Sequence, residues 1–162
     1  MYMRLYFLFF LALILSAVSC GRKGSPAADQ KASTLDAQRQ KIIHVAKSKI
    51  GTPYKMGARG PRRFDCSGFT QYVYEAAGIQ LPRTARAQSV LGKEVKVSKI
   101  QAGDLVVFKR GRKVQHVGIC VRMERGQVWV VHATSSKGVI LENVSSSVYW
   151  KNRLRSGRVV VR

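Results

Sequence analysis

The residues of this chain best suited to covalent chemistry are one cysteine and two histidines. Cys66 lies in Phe64-Asp65-Cys66-Ser67-Gly68-Phe69, where a segment dense in Gly, Arg and Pro gives way to an apolar run. Phe69, Val73, Ala76 and Ala77 recur at helical intervals, so the spacing predicts a helix that starts at Cys66, ends at Gly78 and is capped by Asp65. A thiol at a helix start lies near unpaired N–H groups and the positive pole of the helix dipole, which favours thiolate. The Asp65 carboxylate opposes this, so a basic partner is required, and His116 and His132 are the candidates. His116 stands within one strand-like run and His132 near the end of the next. Cross-strand neighbours lie about 5 Å apart, so adjacent antiparallel strands would set the rings side by side, with His116 as general base and His132 orienting it. On residue types alone this fits nucleophilic catalysis by a thiol, and two strand histidines that only pack are the alternative reading.

The elements that must position these groups follow from the same periodicities. Leu35, Ile42, Ala46 and Ile50 mark a helix from Thr34 to Ile50, with Ser33 or Thr34 as its cap and Gly51 as its stop. His44 lies on it with no acid or cysteine close in sequence, and reads as a surface or packing residue. Thr52 to Arg63 is a Gly/Pro loop leading to the Cys66 helix, and Thr84 caps a short helix through Leu91. The period then changes. Asp104–Phe108, Val114–Arg122, Val128–His132 and Val139–Val144 alternate as strands around turns at Gly111, Gly126 and Gly138. A short helix over Val148–Leu154 and a strand over Arg158–Val161 complete an α+β pattern of helices followed by an antiparallel sheet.

The 162 residues allow one domain of ordinary size, expected as a monomer. Lys and Arg total 29 against 8 Asp and Glu, a formal charge of +21 that suits a polyanionic neighbour. The basic residues are scattered, with modest clusters at Arg59/Arg62/Arg63 and Lys109/Arg110/Arg112/Lys113 and no aromatic-interleaved motif, which argues against nucleic acid. Three cysteines cannot close a disulfide framework, and none has metal-ligand spacing, so no metal is expected. Cys120, inside Val117-Gly118-Ile119-Cys120-Val121, reads as a small buried hydrophobe.

At the N-terminus, Arg4 precedes an apolar run from Leu5 to Leu15, too short for a bilayer-spanning helix, which needs about 20 residues. Residues 1–19 read as a signal peptide. Ser16-Ala17-Val18-Ser19-Cys20 resembles a bacterial lipobox, with Ala17 where that motif prefers Leu. The expectation is a lipidated Cys20 that anchors the chain to a membrane, with simple secretion as the alternative. Gly21 lacks the aspartate that retains such lipoproteins at the inner membrane of some bacteria, which favours the outer membrane and a periplasm-facing domain. Residues 20–33 then form the anchor and a flexible tether, and residues 34–162 the domain.

Gly51-Thr52-Pro53-Tyr54, Phe64 to Phe69, Leu81-Pro82-Arg83-Thr84, Gly103 to Phe108, His116-Val117-Gly118-Ile119 and Val131-His132-Ala133 occur in the order and spacing of the NlpC-type cysteine peptidases, which the chain resembles from about Ala37 to Val161. The resemblance implies a papain-like fold, no cofactor, and hydrolysis of peptide bonds in peptidoglycan stems. It matches Cys66 to the nucleophile, His116 to the base and His132 to the orienting residue. Tyr54 matches a tyrosine that helps hold the oxyanion, Asp65 and Ser67 match residues lining the substrate groove, and Arg83 matches a motif arginine that either binds substrate or props the fold. The expected bond is the D-alanyl–diaminopimelate cross-link, with the γ-D-glutamyl–diaminopimelate bond or a non-catalytic wall-binding role as alternatives. Arg59, Arg62 and Arg63 would steer substrate carboxylates.

Overall fold

The computed structural model describes residues 26–161; Cys20 and the segments expected as a signal peptide and as the first part of a tether lie outside them. Helix α1 runs Pro26–Ser48, α2 Cys66–Glu75, α3 Ala85–Gln88 and α4 Val148–Lys151. The strands are β1 Lys93–Lys96, β2 Leu105–Arg110, β3 Lys113–Glu124, β4 Gln127–Thr134, β5 Gly138–Asn143 and β6 Leu154–Val159. They form one six-stranded sheet in the order β1-β6-β2-β3-β4-β5, with every pairing antiparallel. Among the described residues no helix is long and apolar enough to cross a membrane.

The sheet has a core on each face, and strand alternation assigns residues to them. Leu105, Val117, Ile119, Val121, Val131 and Ala133 pack against Ile42 and Ala46 of α1 and Phe69, Val73 and Tyr74 of α2. Val106, Phe108, Cys120, Val128 and Val130 point the other way and are covered by Ile100, Val144, Trp150 and Leu154. Each fully buried side chain of this size contributes about 1.5–3 kcal/mol. Arg39 ties α1 to the start of β2: its Nη1 donates to the Ala102 carbonyl at 2.6 Å and the buried Asp104 carboxylate at 2.9 Å. The Tyr74 hydroxyl donates to the Gly103 carbonyl at 2.8 Å and brings α2 to the same corner.

Three boundaries differ from expectation, each for a local reason. Helix α1 begins at Pro26, within the segment expected as tether, because Ala27, Ala28, Gln30, Lys31 and Ala32 are good helix formers and Pro fits a first turn. Thr34 therefore lies inside the helix, its hydroxyl donating back to the Gln30 carbonyl at 2.9 Å. Strand β1 was not expected: Lys93-Glu94-Val95-Lys96 has no apolar face, as an exposed edge strand tolerates, and pairing with β6 creates it. Strand β6 begins at Leu154, where the helix over Val148–Leu154 was expected to continue, since α4 spans one turn only.

Candidate active site

The N-terminus of α2 is held in place before any chemistry is considered. Asp65 is its cap, with extended backbone and one carboxylate oxygen accepting from Gly68 N–H at 2.7 Å. The other oxygen accepts from Gly57 N–H at 2.9 Å, which draws the Thr52–Arg63 loop onto the helix. A side chain at Gly68 would meet the Ala58 carbonyl oxygen at 2.1 Å, so that approach requires glycine. Fully buried Gln88 of α3 donates to the Ser67 carbonyl at 3.0 Å and the Pro82 carbonyl at 2.9 Å, and accepts from the Thr70 hydroxyl at 2.6 Å. The turn carrying Cys66 is thus fixed from both sides.

Arg83 completes the clamp. It forms a two-pronged ion pair with Asp65 and donates to the Ser67 hydroxyl at 3.0 Å. Burial alone would raise the Asp65 carboxyl, but the Arg83 and backbone N–H bonds bring it below the usual carboxylate range. Arg83 reaches the site through Asp65 and Ser67 and is not part of the cleft wall.

The cleft itself, about 710 Å³, is lined by Cys66, His116, Tyr54, Asp65 and Ser67, together with Gln115, Lys137, Glu142, Tyr149 and Trp150. His132 lies behind this wall, wholly buried, with its Nδ1 3.1 Å from His116 Nε2. The two rings meet at 5.1 Å between centroids, as the adjacent antiparallel strands β3 and β4 require. With Nε2 engaged, Nδ1 is the nitrogen that His116 has left for Cys66. Trp150 packs over His116 at 4.6 Å, and Phe108 lies beneath both rings, so the histidine pair sits in an apolar box that opens to the cleft at His116.

Burial drives the electrostatics. It pushes His116 well below the ordinary imidazole value, with His132 adding to the effect. It pushes His132 down to about 4, against the pull of Glu142, whose Oε2 is 3.3 Å from His132 Nε2. The Cys66 thiol is pushed up by burial and by Asp65; the N–H groups of Val117, Ser67 and Cys66 itself pull the other way and lose. The pull of the helix terminus toward thiolate is thus outweighed at Cys66 by burial and by Asp65, the opposing carboxylate already visible in the sequence. The Tyr54 phenol is raised by burial, Cys66 and Asp65, so it keeps its proton and remains a donor at the cleft wall.

The other residues singled out in the sequence lie away from the cleft wall. Cys120 is buried, its thiol donating to the Arg122 carbonyl at 3.5 Å and pushed up to about 12. His44 is exposed. Arg59, Arg62 and Arg63 line a separate shallow depression with Lys55, outside the Cys66 cleft. Among the described residues no cluster of three His, Cys, Asp or Glu is placed to hold a metal ion. Sequence reasoning missed Glu142 and Lys137; the signal available for Glu142 was a lone acid two places beyond Ile140 in an apolar strand of a chain with only 8 acids.

A family model described as the NlpC/P60 family matches residues 51–159, the stretch that holds every one of these site residues. The chain belongs to the NlpC/P60 family. Among its relatives, a probable endopeptidase of Corynebacterium glutamicum (strain R) is 41% identical over 74% of this chain, which spans 54% of that protein. The murein DD-endopeptidase MepS/murein LD-carboxypeptidase of Escherichia coli K12 is 32% identical over 93% of this chain and 88% of its own length. The solved NlpC/p60 domain of the peptidoglycan hydrolase SagA superposes with a TM-score of 0.63 at 30% identity, covering 75% of this chain and 97% of that one. The chain thus has the papain-like fold of NlpC/P60 domains, and it spans about half the length of the corynebacterial relative.

Proposed function

We propose that this NlpC/P60 protein is a cysteine hydrolase of the bacterial envelope that cuts peptide bonds in peptidoglycan stem peptides, the D-alanyl–diaminopimelate cross-link first among them. The observation that carries this reading is the His116 Nε2 to His132 Nδ1 contact of 3.1 Å, beside a cleft that Cys66 shares with His116. An orienting partner on the far nitrogen of a buried imidazole is what a general base needs and what a packing histidine does not. The near full-length likeness to a murein DD-endopeptidase supports the choice of bond.

The mechanism is acyl transfer. Cys66 attacks the carbonyl carbon while its proton passes to His116 Nδ1, and the oxyanion faces the Cys66 N–H and the Tyr54 hydroxyl. His116 then protonates the leaving amine, leaving a thioester. Water gives a proton to His116 and its oxygen to the acyl carbon, which releases the new carboxylate and restores the thiol. A lipidated Cys20, joined to α1 by the few residues before Pro26, would hold the domain at its substrate on the outer membrane.

The test is mass spectrometry of muropeptides after cross-linked peptidoglycan is incubated with the protein and with a Cys66→Ala variant. Dimeric muropeptides should become monomers with the intact cysteine alone. Shortened stems would instead move the cut to the γ-D-glutamyl bond. An unchanged wall that retains both proteins would replace hydrolysis with wall binding.

A further inference from the structure

We propose that Glu142 is a positioning residue that sets the tautomers of both histidines, making the site a four-residue relay, Cys66–His116–His132–Glu142; the catalytic part of this rests on the hydrolase reading above. The placement follows from register. His132 pairs with Ile140 across β4 and β5, so Glu142, two residues on, is the diagonal neighbour on the same face. Diagonal neighbours are about 7–8 Å apart at the backbone, within reach of a glutamate, and its Oε2 lies 3.3 Å from His132 Nε2.

The consequence is a chain of forced choices. A carboxylate only accepts, so His132 must carry its hydrogen on Nε2. A neutral His132 then has a bare Nδ1, which accepts from His116 Nε2–H across the 3.1 Å contact. A neutral His116 with its hydrogen on Nε2 has its lone pair on Nδ1, the nitrogen left for the thiol. Without the carboxylate the opposite arrangement is open: His132 donates from Nδ1 to His116 Nε2, and His116 then carries its hydrogen on Nδ1 and cannot accept one from Cys66. When the S–H bond breaks and an N–H bond forms at His116 Nδ1, the resulting imidazolium is a cation among apolar rings, and Glu142 supplies a compensating charge through His132.

The titratable or charged groups around the relay are Asp65, the cap of α2, Tyr54 of the loop before it, Lys137 of the β4–β5 turn and Tyr149 of α4. None of them forms an ion pair with Glu142 among the described residues, and its carboxylate meets His132. Glu142 is partly exposed at the cleft rim, so contact with a substrate cation is the competing role.

The test uses Glu142→Gln, which keeps size and shape but offers an amide that donates as readily as it accepts. Its kcat should fall at least about tenfold, the scale set by partners that orient catalytic groups, with KM within about twofold. Because the Glu142 charge favours protonated histidines, its removal should move the acid limb of kcat/KM to lower pH. Unchanged kcat and acid limb, or a raised KM alone, would overturn the proposal in favour of a structural or substrate-contacting role. Long-range 1H–15N NMR of the imidazoles in the intact protein gives a readout that needs neither turnover nor a folded variant. Hydrogens on Nε2 of both His132 and His116 are expected, and hydrogens on Nδ1 of both would refute the relay. If Cys66-dependent hydrolysis is absent while these tautomers are found, the hydrolase reading fails and the positioning of the histidines by Glu142 stands.

Discussion

Gly118 stands between His116 and Cys120 on β3, and the Gly118→Ala substitution separates the position of His132 from its chemical identity. A methyl group built at Gly118 meets Val130 Cγ1 at 2.6 Å and His132 Cβ at 2.9 Å, with the Val131 carbonyl oxygen at 3.3 Å. Ordinary carbon–carbon contact is about 3.5–4.0 Å, so β4 must retreat by roughly 1 Å at the strand that carries His132. Overpacking of this kind costs about 1–3 kcal/mol, and the relief of a strand glycine returns about 0.5–1 kcal/mol. A net loss of about 1–2 kcal/mol is expected, a Tm lower by about 4–8 °C for a domain of this size. A shift of roughly 1 Å in a catalytic group can cost on the order of 100-fold in rate, so kcat should fall far more than stability. The assay is muropeptide release at 25 °C, where the variant is still folded, beside a melt followed by circular dichroism. Full activity with the lowered Tm would mean that His132 does not need its place against His116. An unchanged Tm would mean that the methyl group does not meet β4 at all.

Two further outcomes follow from the buried charges. His132, held at about 4, and His116, depressed likewise, fold in their neutral forms while the unfolded chain takes up protons near the ordinary value of 6.5. Stability should therefore be full above about pH 6.5 and fall as pH drops toward 4, by on the order of 3 kcal/mol for His132 alone; urea midpoints that stay flat over this range would contradict the burial argument. Replacing Arg83 with Met leaves the Asp65 charge uncompensated beside Cys66, so the thiol should rise further and react more slowly with iodoacetamide at about pH 8, with a stability loss of about 2 kcal/mol. An unchanged alkylation rate would show that the Arg83–Asp65 pair does not bear on the thiol.

What the sequence made legible was whatever rests on short-range pattern. The Asp65 cap, the α2 start at Cys66 and the strand alternation that puts His116 and His132 on neighbouring strands are all local signals, and the structure has them. The protonation state of Cys66 was not legible, because helix dipole and adjacent carboxylate are visible in one dimension whereas burial is a property of the whole fold. Glu142 depends on the β4–β5 register, which a strand reading leaves open by one residue in either direction. Arg83 was found through its motif, yet its role as a clamp on Asp65 and Ser67 needed the path of the chain after Gly78. Strand β1 has no pattern of its own and exists through its partner.

The most direct measurement of the central claim is the mass of the enzyme itself during turnover. A purified cross-linked muropeptide is mixed with the protein, quenched with acid within the first turnovers, and the protein is mapped by peptide mass spectrometry. The expected result is a thioester on Cys66 with the mass of the acyl half of the substrate, absent from the Cys66→Ala variant, which also leaves the muropeptide whole. Cleavage that continues in the Cys66→Ala variant, or an adduct on any other residue, would contradict it.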